Sequence, residues 1–139
     1  MSATKYIDVE PDVALLTPAA SERSTRNNAR AAKAHRLIAR MLLGALAFQL
    51  FFAGLGVFQV YTFMPHAILG ATIILTSFSL PIIAWRGRLE RARVWRSWLL
   101  AGLMIVQGLL IDVGRIVPLV AAFHPVNAML LVLITFSLI

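Results

Sequence analysis

Residues 41–63, MLLGALAFQLFFAGLGVFQVYTF, decide the fold of this chain. They contain no Asp, Glu, Lys or Arg, and the charge-free run continues through Trp85. A bilayer core of about 30 Å requires about 20 apolar residues in a helix, so the stretch is long enough to cross it. It also lacks the alternating polar positions that the strands of a membrane β-barrel require. The stretch therefore predicts a membrane-spanning helix.

Three further apolar stretches are long enough to cross a bilayer. The stretch at 98–117 carries two charged residues near its C-terminal end, Asp112 and Arg115, and the other two stretches carry none. The fourth is expected to become regularly helical from His124–Pro125, because proline suits the first turn of a helix. We therefore predict an all-α integral membrane four-helix bundle. Its spans lie at about 41–63, 66–85, 98–117 and 119–139.

The composition supports this class. Hydrophobic residues make up 60% of the 139-residue chain and charged residues 14%, with a mean hydropathy of +0.82. Soluble domains are roughly 45–50% apolar and about 25% charged, and disordered chains are less apolar still. The chain has no cysteine, which excludes disulfides, thiol catalysis and Cys-ligated metal sites. No motif of a self-contained hydrolase or transferase is present, so we do not expect an enzyme, at most an electron-transfer subunit of one.

Basic residues indicate the orientation in the membrane. The 23–40 segment and the 86–96 connection carry eleven of the thirteen Lys and Arg residues. The other two connections, 62–65 and 118–123, carry none. Because Lys and Arg accumulate in cytoplasmic loops, both termini and the 86–96 connection are predicted to be cytoplasmic, in a multi-pass protein of the inner (plasma) membrane. The net charge of +7 then reflects topology, and we expect no nucleic-acid partner.

The N-terminal part, residues 1–40, is predicted to be a cytoplasmic tail with a basic juxtamembrane segment. Residues 1–20 contain two prolines and scattered acids, which is typical of an extended tail. Residues 21–40 could form a surface helix capped by Ser21 whose basic side chains meet anionic headgroups. The preferred interpretation is a topology signal only. His35 lies in this segment, and we expect it to be solvated.

The membrane domain, residues 41–139, contains an internal repeat. Shifting the chain by 58 residues superimposes the first two spans on the last two without a gap, with nine identities among 41 aligned positions. The identities include Gln49 with Gln107 and His66 with His124. A shift of two helices preserves direction, so the halves are predicted to be parallel repeats related by a pseudo-twofold axis along the membrane normal. The second and fourth spans then face each other, with both histidines at equal depth near the non-cytoplasmic side.

Two opposed imidazoles in a bundle core are the ligand set of a b-type haem. We predict His66 and His124 as metal ligands. Small residues would leave room for the macrocycle, one turn after each histidine and on the other pair of helices, namely Gly70, Ala128, Gly56 and Gly114. Two alternatives stay open for the histidine pair, a structural or interfacial role and proton transfer. A bound chlorin or carotenoid is a third kind of ligand.

Other polar residues of the spans have two interpretations each. Arg115 lies where haem propionates would emerge, and Asp112 could pair with it at a spacing of three residues. The alternative is that the Arg115 side chain extends to the membrane interface and forms a local ion pair with Asp112. Gln49 and Gln107 precede their histidines by 17 residues and are expected deeper in the membrane. There, interhelical hydrogen bonds are favoured over a cofactor contact.

Three segments carry a resemblance to known families: FFAGLGVF in the first span, HAILG in the second and HPVNAMLLV in the fourth. Through them the membrane part resembles a family of small uncharacterised bacterial four-helix membrane proteins. It is also similar to the haem-binding four-helix bundles of b-type cytochromes and haem A synthase. That resemblance implies His66 and His124 as axial ligands. Many b-type cytochromes carry four histidines for two haems, whereas the spans here offer two.

The function predicted from the sequence is that of a b-type haem-binding membrane protein. It would serve electron transfer or carry haem within a larger redox or energy-transducing complex. The alternative is a cofactor-free accessory or assembly subunit that stabilises a membrane complex. Both hypotheses imply the lipid bilayer and other membrane subunits as partners.

Overall fold

The computed structural model describes residues 18–139, with side chains from residue 21 onward. This part of the chain is built from helices, and four of its helical segments are long and apolar enough to cross a membrane. Of the extended tail predicted for residues 1–20, residues 1–17 lie outside the described part of the chain. The helices are α1 Pro18–Val57, α2 Met64–Ser77, α3 Ser79–Arg86, α4 Arg91–Gly114, α5 Pro118–Ala121 and α6 Phe123–Phe136.

The basic segment and the first span form one helix. With 40 residues, α1 is about 60 Å long, twice the thickness of a bilayer core. Its first half therefore extends beyond the apolar layer, and the predicted separate surface helix is instead a continuation of the span. The expectation that His35 is solvated is wrong. Its imidazole is fully buried, and its Nε2 lies 2.9 Å from the hydroxyl of Ser97 on α4.

Two spans end earlier than the hydropathy predicts. The first span ends at Val57 instead of 63, and the third ends at Gly114 instead of 117. After Val57 the chain turns back along α1, because the backbone N–H groups of Val60 and Tyr61 both donate to the carbonyl of Leu55, at 2.9 and 3.1 Å. Gln59 assists this turn with a left-handed φ of 58°. The turn carries no charge and is mostly apolar, so composition alone does not distinguish it from helix.

The four spans form a ring in which each packs against two neighbours. The helices α2 and α3 together form the second span, and α6 belongs to the fourth. Both α1 and α4 contact these two spans. The backbones of α1 and α4 do not approach each other, nor do those of α2 and α6, so these are the two diagonals of the bundle. The centre is filled by large apolar side chains from every span, among them Leu42, Leu46, Ile73, Leu80, Leu100, Met104 and Leu131.

The outer surface of the bundle is also apolar. Phe48, Leu50 and Leu75 are examples of large side chains that are 62%, 76% and 75% exposed. Soluble monomers rarely expose contiguous apolar surface on this scale. A bilayer solvates such a surface, so the exposed side chains fit a multi-pass membrane protein.

Candidate functional site

His66 and His124 face each other across the diagonal between α2 and α6. His66 is the third residue of α2 and His124 the second residue of α6, so each ring leaves the first turn of its helix. The ring centroids are 6.3 Å apart and the ring planes are inclined by 56°. The structure therefore brings together the two histidines that the sequence repeat aligns.

Gln49 holds His66 through two reciprocal hydrogen bonds. Its side-chain Nε2 donates to the carbonyl of His66 at 2.8 Å, and Nδ1 of His66 donates to the carbonyl of Gln49 at 3.0 Å. A carbonyl oxygen can only accept, so Nδ1 carries a proton, and in the neutral imidazole Nε2 then has the lone pair. The bonds fix both the position of the ring and its tautomer.

Gln107 holds His124 in the same way. Its Nε2 donates to the carbonyl of His124 at 3.1 Å, and Nδ1 of His124 donates to the carbonyl of Gln107 at 3.2 Å. The second pair has one additional contact. Nε2 of Gln107 also lies 3.1 Å from Nε2 of His124, so the amide donates to the lone pair of the ring.

These contacts correct the predicted depth of the glutamines. Gln49 and Gln107 do not lie below the histidines but beside them. The reason is the returning turn after α1, which brings Tyr61 back to the level of Leu55 before α2 begins. Five further residues then carry the chain to His66, opposite Gln49. The glutamines do form interhelical hydrogen bonds, as the sequence favours.

Asn127 is a further polar residue of the site that the sequence analysis missed. It is 6% exposed, and its amide donates to the carbonyl of Leu103 at 3.0 Å and to Oε1 of Gln107 at 2.6 Å. One signal could have revealed it, since it is the only asparagine in the predicted spans and follows His124 by three residues, on the same helix face. The repeat places Leu69 at the equivalent position. Oε1 of Gln49 is accordingly buried, and it has no hydrogen-bond partner among the described residues.

The glycines predicted to leave room for a macrocycle are packed against the chain itself. A Cβ atom on Gly70 would lie 2.7 Å from Nε2 of Gln49, and one on Gly56 would lie 2.6 Å from the ring of Phe63. A Cβ atom on Gly114 would lie 2.7 Å from Cβ of Ala121. The connections fold back onto the bundle and fill these spaces. Ala128, the repeat partner of Gly70, is half-buried.

Within the described residues, Arg115 and Asp112 form no hydrogen bond with either histidine. Both side chains are exposed, and Arg115 caps the end of α4 through its backbone N–H. Within the described residues no ion pair joins Asp112 to Arg115, contrary to the pairing that their spacing predicts.

The separation of the two imidazoles matches that of two ligands on one metal, whereas the spaces beside the glycines are filled by protein atoms. Residues 18–139 contain no cluster of three or more His, Cys, Asp or Glu side chains that could hold a metal. Two bonds of about 2 Å between a metal and imidazole nitrogens, together with the half-width of each ring, give opposed centroids about 6 Å apart. The observed 6.3 Å is close to this separation. Metal-binding histidines also donate their other ring N–H to a carbonyl, as both rings do here.

Comparison with known proteins yields one match. Residues 49–114 are similar to a family of unknown function, DUF6220. The matched segment begins at Gln49, includes His66 and Gln107, and ends before His124. No curated protein and no solved structure matches the chain. The comparison therefore relates the centre of the chain to other proteins without assigning an activity.

Proposed function

We propose that this protein binds one haem b between His66 and His124, near the non-cytoplasmic face of the plasma membrane. Its role is electron transfer, alone or as the haem-carrying subunit of a larger redox or energy-transducing complex. One observation carries the proposal. Two imidazoles on diagonal helices lie 6.3 Å apart, and each has its Nδ1 bonded to a backbone carbonyl, so Nε2 is the atom of each ring that could bind a metal. At His124 this atom also accepts a hydrogen bond from Gln107.

The surrounding residues have defined parts in this proposal. When bound, a haem supplies a one-electron carrier whose potential depends on its axial ligands and their hydrogen bonds. The backbone carbonyls of Gln49 and Gln107 orient the imidazoles and increase their basicity. Arg115 is exposed at the end of α4 and is proposed as the partner of a propionate.

We also propose that the two halves are parallel repeats about an axis along the membrane normal. The same two hydrogen bonds join Gln49 to His66 and Gln107 to His124, at positions 58 residues apart. The diagonal arrangement of α2 and α6 fits such an axis. The basic residues of the 23–40 segment and the 86–96 connection support a cytoplasmic location for both termini.

A second candidate function is supported by a different observation. The hydrogen bonds of His124, Gln107 and Asn127 satisfy one another without any ligand, and the space beside the glycines is filled by protein atoms. This favours a structural role for the glutamine–histidine hydrogen bonds, which join α1 to α2 in a first helix hairpin and α4 to α6 in a second. In that case the protein is a cofactor-free accessory or assembly subunit of a membrane complex.

A reduced-minus-oxidised absorption spectrum of the purified full-length protein distinguishes the two functions. The haem proposal predicts the α-band of a b-type haem, which is lost in His66→Gly because an axial ligand is removed. The matched control is His35→Gln, which changes the buried histidine at the opposite end of the bundle and is expected to keep the band. Added imidazole should restore the band in His66→Gly, which separates loss of a ligand from loss of the fold.

Two outcomes would contradict the haem proposal. One is protein that lacks the band although haem was supplied during expression. The other is a band that persists in both His66→Gly and His124→Gly. Protein that lacks the band and copurifies with other membrane subunits in mild detergent would support the accessory function.

A further inference from the structure

The space around the two histidines is filled by the protein itself. A haem needs free space on every side of its metal, and the sequence predicts that Gly56, Gly70 and Gly114 leave it. A Cβ atom at any of these three glycines would lie 2.6 or 2.7 Å from another atom, so the protein already occupies these spaces. A single ion needs only the gap between the two rings. The packing therefore fits a bare metal ion as it stands and fits a haem only if these contacts open.

The separation of the rings indicates the shape of the coordination. A straight arrangement of two imidazole nitrogens on one metal, with bonds of about 2 Å, separates the ring centroids by about 6 Å. A tetrahedral angle would bring the same centroids to about 5 Å. The observed 6.3 Å matches the straight arrangement. Straight coordination by two nitrogens is typical of a monovalent ion with a filled d shell, such as copper(I), and imidazole is a ligand that suits copper.

The number and charge of the available groups agree with a monovalent ion. Within residues 18–139, no third His, Cys, Asp or Glu side chain joins the pair in a group that could hold a metal. Structural zinc takes four protein ligands and catalytic zinc three, so two imidazoles supply too few for Zn²⁺. The groups that form hydrogen bonds with the two rings are neutral amide and carbonyl groups of Gln49 and Gln107. The cost of removing an ion from water rises with the square of its charge, so a monovalent ion is the easier one to hold there.

Both rings are held in the way that metal-binding histidines are. The Nδ1 atoms of His66 and His124 donate to backbone carbonyls, at 3.0 and 3.2 Å, so each neutral ring has its lone pair on Nε2. In the described part of the chain, Nε2 of His66 forms no hydrogen bond, whereas Nε2 of His124 accepts one from the Gln107 amide at 3.1 Å. Both histidines are half-buried, so the pair is not sealed from an approaching ion.

We propose that His66 and His124 form a two-coordinate site for a bare monovalent ion, copper(I), while the contacts beside the glycines stay closed. Nε2 of each imidazole gives its lone pair to the ion. At His124 the ion replaces the Gln107 amide as the partner of Nε2. This inference does not rest on the haem function, because it needs neither the macrocycle nor an opening of the packed contacts.

The probe is copper(I), added with ascorbate and without oxygen to haem-free full-length protein in detergent, in competition with a chromophoric copper(I) chelator. We expect one ion per chain, and a copper X-ray absorption spectrum with two nitrogen neighbours at about 2 Å and no sulfur neighbour. His66→Gly and His124→Gly should each weaken binding by more than about 100-fold, since changes in the outer partners of a metal ligand alone cost about 10–100-fold. Two controls should bind as the unchanged protein does. His35→Gln changes the histidine at the opposite end of the bundle, and Met64→Leu removes the thioether nearest to His66 in the sequence.

A pair of variants tests the lone pair of His124. Gln107→Leu removes the amide that donates to Nε2 of His124 and keeps the backbone carbonyl that orients the ring. Copper(I) should then bind about fivefold more tightly, which corresponds to the loss of one competing hydrogen bond of about 1 kcal/mol. Gln49→Leu removes an amide that forms no hydrogen bond with Nε2 of His66, so the affinity should not rise. A rise in neither variant, or in Gln49→Leu alone, would show that Nε2 of His124 is not a ligand and would overturn the inference.

The remaining outcomes separate this inference from the haem function. Folded, haem-free protein that binds no copper(I), or binds it through sulfur, overturns the inference and leaves the haem function to its own spectrum. Binding of Zn²⁺ as tight as that of copper(I) also overturns it, because a straight two-coordinate site does not suit zinc. Protein that lacks the b-type band although haem was supplied, and yet binds one copper(I), contradicts the haem function and supports the inference.

Discussion

The two helix hairpins of the bundle share their main histidine contacts and differ in what surrounds them. In each hairpin a glutamine on the first helix and a histidine at the start of the second exchange the same two hydrogen bonds. Around these bonds the hairpins diverge. Asn127 anchors Gln107, whereas Leu69 stands at that position beside Gln49 and leaves Oε1 of Gln49 without a partner.

The difference separates two kinds of contribution. The shared contacts are made to backbone carbonyls, so they depend on the helix hairpin and position both rings equally. The contacts that differ join one side chain to another, Asn127 to Gln107 and Gln107 to His124, and they decide whether Nε2 of the ring accepts a hydrogen bond. Two hairpins with the same main contacts can therefore hold their imidazoles alike and still give them different hydrogen bonds.

The largest expected effect concerns the glycines that close the hairpins. A Cβ atom on Gly114 would lie 3.0 Å from Cα and 3.1 Å from the backbone nitrogen of Ala121, and backbone cannot move aside easily. A Cβ atom on Gly56 would meet only the ring of Phe63, a side chain that is 52% exposed and can rotate away. Overpacking of this kind costs about 1–3 kcal/mol. We expect Gly114→Ala to lower the free energy of unfolding by about 2–3 kcal/mol and Gly56→Ala by less than about 1 kcal/mol.

Reversible unfolding in mixed detergent micelles, followed by circular dichroism, measures both values. Gly102→Ala is the control, because a Cβ atom there meets no other atom within 4 Å. Equal losses of unfolding free energy for Gly114→Ala and Gly56→Ala would show that the two turns are packed alike. They would contradict the difference in packing between the hairpins.

The next largest effect concerns the anchor in the second hairpin. Asn127→Leu places in that hairpin the residue that the first one carries. Oε1 of Gln107 loses the donor that Asn127 supplies, while the carbonyl of Leu103 loses one donor and keeps its bond within α4. A buried acceptor without a partner costs about 1–3 kcal/mol. Hydrogen bonds between membrane helices average about 0.6 kcal/mol, so we expect a loss of about 1–2 kcal/mol for the pair. The same unfolding measurement tests this, and an unchanged stability would contradict the anchoring role of Asn127.

Much of this comparison follows from the sequence. The parts that do not follow from it have identifiable physical reasons. The charge-free stretches predict the spans, and the 58-residue shift predicts that the two histidines share one level, because a repeat copies depth as well as residue type. Neither feature reveals the helix ends. Val57 and the residues after it are equally apolar, and only the backbone hydrogen bonds to Leu55 show where the chain turns.

The burial of His35 illustrates a different limit. Its neighbours in sequence are basic, and average hydropathy over the segment therefore predicts solvent exposure. The helical period gives the opposite and correct result, because His35, Ala39, Leu42 and Leu46 lie on one face of α1 and all four are buried. The proton positions at the histidine pair depend on single interhelical contacts, and no sequence period encodes those.

The smallest expected effect is a gain in stability in the first hairpin. Leu69→Asn introduces the residue found at the equivalent position 127, and it would supply the donor that the buried Oε1 of Gln49 lacks. A membrane hydrogen bond is worth about 0.6 kcal/mol on average, and the polar amide replaces a half-buried leucine, so the net gain should not exceed about 1 kcal/mol. In the double variant Leu69→Asn with Gln49→Leu the acceptor is gone, and asparagine should then destabilise the protein. A gain that persists in the double variant would mean that the new asparagine acts elsewhere, and that the difference between the hairpins does not lie in the anchor.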